Sequence, residues 1–126
     1  MALSSLSHAR SGPRPRPRLL ALDVDGTLTD PEGRITPRVA AAVARVRDSG
    51  IQVVLCTGRR YRTTAPLLQS LGLAEGPVVV HNGVVVKDAA SGETLAHRYL
   101  EAELYARALA ILRQAASPML YVDHFP

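Results

Sequence analysis

The amino-acid sequence predicts an α/β fold whose core is a parallel sheet covered by helices. From residue 19 onward, short apolar runs of strand length alternate with longer segments in which apolar residues recur at helical spacing. Glycine, proline and aspartate separate these segments, as is typical of the connections in a βαβ chain. With 126 residues, 47% of them apolar and 21% charged, the chain has the composition of one soluble domain. No apolar run approaches the roughly 18 residues that a membrane span needs.

Three strands and two helices are predicted in the first part of the chain. Thr36 followed by Pro37 is typical of a helix start, and Gly50 and Gly72 are typical of helix ends. Because βαβ connections are right-handed, the three strands should lie parallel and side by side, with the loops after them on one edge of the sheet. The predicted elements are a strand at 19–24, a helix at 37–49, a strand at 51–56, a helix at 61–71 and a strand at 77–80.

Beyond residue 83 the pattern changes from parallel to antiparallel pairing. Two runs that flank a turn containing glycine predict a hairpin, and a helix and another strand follow it. These elements are predicted at 84–87, 94–100, 101–116 and 119–123. We therefore place a boundary near Val84, between a parallel core at 19–83 and the beginning of a second unit at 84–126.

The positive charge of the chain lies in its first 18 residues. The formal net charge is +4, and segment 1–18 holds four of the 15 Lys and Arg residues but no Asp or Glu. The rest of the chain is therefore neutral and does not indicate a nucleic acid partner. The alternating Pro and Arg residues of this segment predict a disordered tail. The single cysteine, Cys56, excludes an internal disulfide and is typical of a reducing compartment such as the cytoplasm.

Two carboxylates follow the first predicted strand. Asp23 and Asp25 alternate along an extended segment, so both should face one side and address the same part of a substrate. One carboxylate of such a pair can attack as a nucleophile while the other transfers protons. Gly26 permits a tight turn whose amides can face an anion, and Thr27 adds a hydroxyl. The spacing alone is equally consistent with an ordinary Asp-Gly turn.

The loops after the next two strands carry further polar motifs. Residues 57–60 read Thr-Gly-Arg-Arg, and residues 81–83 read His-Asn-Gly. Together with Asp-Val-Asp-Gly-Thr at 23–27, this order of motifs resembles the haloacid dehalogenase (HAD) superfamily, in its Cof-type, sugar-phosphatase-like branch. The resemblance covers residues 19 to about 123. It implies a Rossmann-like parallel core, incomplete in this chain, followed by the start of an α/β cap domain.

The resemblance also implies a reaction and a role for each motif residue. Asp23 would attack phosphorus and form an aspartyl-phosphate, and Asp25 would act as acid and base. A Mg²⁺ ion would be held by the Asp23 carboxylate and the Asp25 backbone carbonyl. The substrate would be a small phosphorylated metabolite such as a sugar phosphate, since a cap that closes over a site admits small molecules. The residues implied to bind phosphate are Gly26, Thr27, Thr57, Gly58, Arg59, Asn82 and Gly83.

Several of these residues have a structural alternative. Thr57 is suited to cap the helix that follows it, and Arg59 to be a solvated charge on the first turn of that helix. The Asn-Gly pair at 82–83 is also typical of a hairpin turn. A rival chemistry is a cysteine-dependent phosphatase, because Cys56 and Arg62 fit the Cys-x5-Arg pattern of a phosphate-binding loop. The simpler interpretation of Cys56 is a small apolar residue packed in a strand.

Two parts of the implied site are missing from the sequence. In the family, a lysine that supports the phosphate and an acidic motif that completes the Mg²⁺ site both follow the cap. The only lysine here is Lys87, at the predicted start of the cap. We therefore expect an incomplete chain. The alternative is a whole product that is a non-catalytic remnant, or a phosphate-binding or interaction module with an exposed sheet edge.

Overall fold

The structure, a computed structural model, describes residues 16–118. Every element predicted between residues 19 and 116 is present, with bounds that differ by at most three residues. The elements are β1 (Leu19–Leu22), α1 (Pro37–Asp48), β2 (Gln52–Leu55), α2 (Tyr61–Ser70), β3 (Pro77–Val80), β4 (Val85–Asp88), β5 (Thr94–His97) and α3 (Ala102–Ala115). The strand predicted at 119–123 and nearly all of the predicted tail at 1–18 lie outside the described residues.

The first three strands run parallel, as predicted. β1 pairs with β2 along its whole length, with Leu20 opposite Val53. β3 joins the other side of β2 through a parallel bridge between Cys56 and Val79, and the Thr57 amide donates to the Val79 carbonyl at 3.0 Å. The carboxyl ends of all three strands therefore meet at one edge, which confirms a Rossmann-like α/β arrangement.

The strand β3 also pairs on its other side with β4. The pairing is antiparallel, from Pro77 opposite Asp88 to Val80 opposite Val85, and β4 pairs in turn with β5. The hairpin predicted from the sequence is thus confirmed. The boundary predicted near Val84 falls in the turn between β3 and β4, and the assignment of the region after it to a cap stays a prediction.

The core lies between the strands and the inner faces of α1 and α2. Its most buried side chains come mainly from β2, α2 and β3, and α1 adds Val43, which is 4% exposed. Fully buried large residues include Val24, Leu55, Leu68 and Val78. Val24 follows β1 rather than lying in it, so burial of its side chain fixes the start of the loop that carries the two aspartates.

The ends of the helices follow the sequence signals in one case and depart from them in the other. Thr36 caps α1 through its Oγ1, which accepts from the Val39 amide at 3.4 Å, as predicted. The cap residue of α2 is Arg60, with no side-chain cap bond. The alternative that Thr57 caps α2 is therefore wrong, because the helix begins three residues further along the chain.

The helix α3 is exposed along its length. None of its residues is buried, and its large apolar side chains include Ile111 at 68% exposure. No helix within residues 16–118 is long and apolar enough to cross a membrane.

Candidate active site

Three loops border a cleft of about 250 Å³ at the carboxyl edge of the parallel strands. Each loop follows one strand, so the cleft collects side chains that are far apart in sequence. Its lining residues are Asp23, Cys56, Thr57, Gly58, Val79, Asn82 and Gly83. Five of the nine predicted site residues therefore share one cleft. The other four, Asp25, Gly26, Thr27 and Arg59, are not among the lining residues.

The loop after β1 turns sharply around one carbonyl. The Val24 carbonyl accepts from the amides of Thr27, Leu28 and Thr29 at 3.3, 2.9 and 3.1 Å. Gly26 has a φ of +75°, a left-handed conformation that glycine adopts at little cost. The tight turn predicted from Gly26 is thus confirmed, and it ends the extended path of the chain directly after Val24.

The two aspartates beside this turn contact different partners. Asp23 lines the cleft, and the Thr27 hydroxyl lies 3.5 Å from its Oδ2. Asp25 instead directs its carboxylate to Arg59. Alternation along a strand holds only while the chain stays extended, so the expectation that both carboxylates address the same part of a substrate stays a prediction.

The Asp25 carboxylate forms a bidentate ion pair with Arg59. Nε of Arg59 donates to Oδ2 at 2.9 Å, and Nη2 donates to Oδ1 at 2.6 Å. Hydrogen bonding to Arg59 lowers the pKa of Asp25, and burial opposes this effect only in part. The alternative in which Arg59 is simply a solvated charge is wrong, since its side chain is only 28% exposed and is held by Asp25.

The loop after β2 is built around Thr57 and Gly58. Thr57 is buried, and its Oγ1 accepts from the Arg59 amide at 3.1 Å. A β-carbon on Gly58 would lie 2.7 Å from Oδ1 of Asn82, closer than real β-carbons approach any atom. Glycine at position 58 thus lets the loops after β2 and β3 meet at the cleft.

The loop after β3 is a short 3₁₀ turn in the left-handed region. His81, Asn82 and Gly83 have φ values of +52°, +56° and +92°. The Asn82 amide donates to the Thr57 carbonyl at 3.1 Å, and the His81 amide donates to the Arg59 carbonyl at 3.1 Å. The segment is therefore both a hairpin connection and a wall of the cleft, so the two interpretations of Asn82-Gly83 are compatible.

Cys56 and Val79 also line the cleft, although neither is among the residues that the family resemblance implies to bind phosphate. Burial, and to a smaller extent the charge of Asp23, raises the pKa of the Cys56 thiol. A raised pKa disfavours the thiolate that a cysteine nucleophile requires, and Arg62 is exposed on α2. Both observations count against the cysteine-dependent alternative. The alternation of side chains along β3 could have indicated Val79. Val78 and Val80 on either side of it are buried, so the Val79 side chain lies on the opposite face of the strand.

The described residues supply only part of the ligand set of a magnesium ion. Within residues 16–118, no group of three or more His, Cys, Asp or Glu side chains is placed to hold a metal ion. Mg²⁺ commonly uses one or two carboxylates and keeps water or substrate phosphate in its other positions. The Asp23 carboxylate, exposed on the cleft, and the neighbouring Asp25 carbonyl are compatible with such a set.

Lys87 is not part of the cleft. Its side chain is buried, and Nζ donates to the Gly92 carbonyl and to the Thr94 hydroxyl, both at 3.1 Å. The ammonium group also lies 5.6 Å from the centre of the Tyr61 ring. These contacts stabilise the β4–β5 hairpin and do not place a cation beside Asp23.

Comparison with known proteins assigns a family to this arrangement. The chain is 38% identical over 71 residues to the pyridoxal phosphate phosphatase of Escherichia coli, an alignment that covers 56% of this chain and 26% of the relative. It is 36% identical over 106 residues to the phosphoglycolate phosphatase of Halorubrum lacusprofundi, covering 84% of this chain and 37% of the relative. The chain spans at most two fifths of the length of the curated relatives it matches.

Solved structures with the same fold include a HAD phosphatase of Bacteroides thetaiotaomicron. It shares 27% identity with this chain at a TM-score of 0.69, covering 82% of this chain and 39% of that protein. Cof-like hydrolases are also among the structures that share the fold. Residues 20–124 match the haloacid dehalogenase-like hydrolase family, to which this chain belongs.

Proposed function

We propose that the chain carries the nucleophile side of a Mg²⁺-dependent phosphatase that hydrolyses small phosphorylated metabolites through an aspartyl-phosphate. The observation that carries the proposal is the position of the Asp23 carboxylate, which shares one cleft with Thr57, Gly58 and Asn82. A carboxylate nucleophile attacks in line with the leaving oxygen, so hydrogen-bond donors are needed around the three equatorial oxygens, where negative charge collects.

The loop after β2 supplies such a donor. Because Oγ1 of Thr57 already accepts from the Arg59 amide, its own proton remains available for a phosphoryl oxygen. Gly58 leaves the backbone beside Thr57 open to close approach from the cleft, and the Asn82 side chain adds a neutral amide. In this proposal Asp23 attacks phosphorus while Thr57 and Asn82 hold the oxygens.

Asp25 is the proposed acid and base. It would protonate the leaving oxygen and then take a proton from the water that hydrolyses the aspartyl-phosphate. The Asp23 carboxylate and the Asp25 carbonyl would hold Mg²⁺, which when bound neutralises charge between carboxylate and phosphate. In the structure this carboxylate is paired with Arg59.

The proposed substrate class follows from the relatives and from the size of the cleft. The names of two relatives specify pyridoxal phosphate and phosphoglycolate, both small phosphate esters. A cleft of about 250 Å³ accommodates a phosphoryl group and a small adjoining moiety rather than a protein. We place the protein in the cytoplasm, where a lone cysteine stays reduced.

Hydrolysis of p-nitrophenyl phosphate by the purified chain tests the proposal. Activity should require Mg²⁺, stop with excess EDTA, and be lost in Asp23→Asn, an isosteric change that removes the nucleophile. Cys56→Ser is the matched control in the same cleft and should keep activity. Retention of activity in Asp23→Asn, or its loss in Cys56→Ser without a need for metal, would refute the aspartate mechanism.

A phosphate-binding module without catalysis is the second candidate. It is favoured by one observation: among the residues that line the cleft there is no lysine or arginine, and Lys87 is engaged in the β4–β5 hairpin. This candidate predicts that inorganic phosphate perturbs the Thr57 and Gly58 amides while p-nitrophenyl phosphate is not hydrolysed. Hydrolysis that depends on Asp23 excludes it.

A further inference from the structure

The ion pair between Asp25 and Arg59 holds the residue that the proposed mechanism needs at the substrate. Both oxygens of the Asp25 carboxylate accept an N–H of the guanidinium. In this arrangement both oxygens are directed at the guanidinium, and Asp25 is not among the residues that line the cleft. In the proposed mechanism, the Asp25 carboxylate therefore has to turn from Arg59 towards the cleft.

Arg59 is anchored by its backbone to the loop that is proposed to bind phosphate. Its amide donates to Oγ1 of Thr57, and its carbonyl accepts from the His81 amide, both at 3.1 Å. The backbone of Arg59 is thus fixed by two hydrogen bonds, and a change of partner requires only a movement of its side chain. The Asp25 side chain is 59% exposed and that of Arg59 28%, so a solute can reach the pair from solvent.

Carboxylate and phosphate compete for the same face of a guanidinium group. Arginine binds either anion through two parallel N–H···O bonds, and it stays charged throughout. A phosphate dianion carries more negative charge than one carboxylate. Arg59 does not line the cleft, but its amide is bonded to Thr57 Oγ1, so its side chain would have to turn from Asp25 to meet a phosphoryl group beside Thr57.

We propose that Arg59 exchanges the Asp25 carboxylate for a phosphoryl oxygen when the ligand enters the cleft, and thereby controls the position of Asp25. The proposal rests on the proposed function, since it gives Asp25 and the phosphate the roles stated there. Its consequence is that Asp25 is released towards the substrate only when a phosphoryl group has taken Arg59. Ligands without a phosphoryl group leave Asp25 paired with Arg59.

Titration of the ¹⁵N-labelled chain with inorganic phosphate, in the presence of Mg²⁺, tests the exchange without relying on turnover. NMR follows the backbone amides of Thr57 and Gly58 and the Nε–H signal of Arg59. The variants are Asp25→Asn, Arg59→Gln and the double variant. Arg38→Gln is the matched control, because it makes the same charge change at an exposed position of α1.

Exchange predicts a specific coupling between the two residues. Asp25→Asn frees the guanidinium and should lower the Kd for phosphate roughly tenfold, the effect of one charge-assisted hydrogen bond. In the Arg59→Gln background the same change removes only repulsion through solvent and should lower the Kd by about twofold. Arg59→Lys keeps the charge but not the paired geometry and should restore part of the affinity that Arg59→Gln loses. Arg38→Gln should leave the Kd unchanged.

Equal effects of Asp25→Asn with and without Arg59 would overturn the exchange. So would an Arg59 Nε–H signal that stays unchanged in the wild-type chain at saturating phosphate, a result that requires no variant to fold. If phosphate shifts neither Thr57 nor Gly58, the phosphate site itself is refuted, and the proposed function fails together with the exchange. If phosphate shifts the Thr57 and Gly58 amides but the effects of Asp25→Asn and Arg59→Gln are independent, the exchange is refuted while the proposed function stands.

Discussion

Replacing Gly58 by alanine should separate the binding role of the loop after β2 from its contribution to stability. A β-carbon at position 58 would lie 2.7 Å from Oδ1 and 3.3 Å from Cγ of Asn82. Restoring ordinary contact at 3.4 Å requires the Asn82 amide to move by about 0.7 Å. Because Asn82 is exposed, its side chain can make this shift without disturbing the core. The shift displaces a proposed phosphate donor.

The expected result is a protein of nearly unchanged stability that binds phosphate less well. Gly58 does not have a positive φ, so alanine restricts the unfolded chain and adds at most about 1 kcal/mol to the free energy of unfolding. Loss of one neutral hydrogen bond, about 0.5–1.5 kcal/mol, should raise the Kd for inorganic phosphate roughly two- to tenfold. Urea denaturation measures the first quantity, and NMR titration measures the second.

Gly72→Ala is the control with the opposite expectation. Gly72 has a φ of +65°, and a β-carbon there would clash with the Arg47 guanidinium, whose Nη1 donates to the Leu71 carbonyl. An L-residue in this conformation costs roughly 1–2 kcal/mol, so this variant should lose stability without changing the Kd for phosphate. A loss of more than about 2 kcal/mol in Gly58→Ala, or an unchanged Kd, would refute the reasoning about the Gly58–Asn82 contact.

Three further predictions concern stability and are checked by urea denaturation. Leu55→Ala removes a fully buried side chain of β2 and should cost about 2–5 kcal/mol, whereas Leu95→Ala, at a position 55% exposed, should change the free energy of unfolding by less than about 0.5 kcal/mol. Lys87→Met leaves two partly buried acceptors without their donor and should cost about 1 kcal/mol. Hydrogen bonds from Ser91 lower the pKa of Asp88, so the stability they contribute is complete above the unfolded pKa of about 3.9 and is lost as the pH falls below it. Asp88→Ala should therefore reduce the stability difference between pH 6 and pH 3; an unchanged difference would contradict this assignment.

The order of the elements was predictable because it depends on local signals. The apolar runs of β1, β2 and β3 and the Thr36-Pro37 start of α1 act over a few residues each. The right-handed rule for βαβ connections then places the loops after the strands on one edge. These steps bring Asp23, Thr57 and Asn82 to one cleft without knowledge of the tertiary structure.

The partner of Asp25 was not predictable in this way. The spacing of Asp23 and Asp25 says nothing about the partner of either carboxylate, and three amides converge on the Val24 carbonyl where the chain turns. The Arg59 side chain that receives the carboxylate lies 34 residues away in sequence. No local pattern contains that pairing.

The sequence by itself thus determined which residues reach the edge of the sheet, since periodicity and turn signals are properties of short segments. Only the tertiary structure decided what those residues touch there: Asp25 against Arg59, and Gly58 against Asn82. Such contacts depend on loop dihedral angles and on the meeting of side chains from different strands. Both are set by the packing of the whole sheet and not by the spacing of residues along the chain.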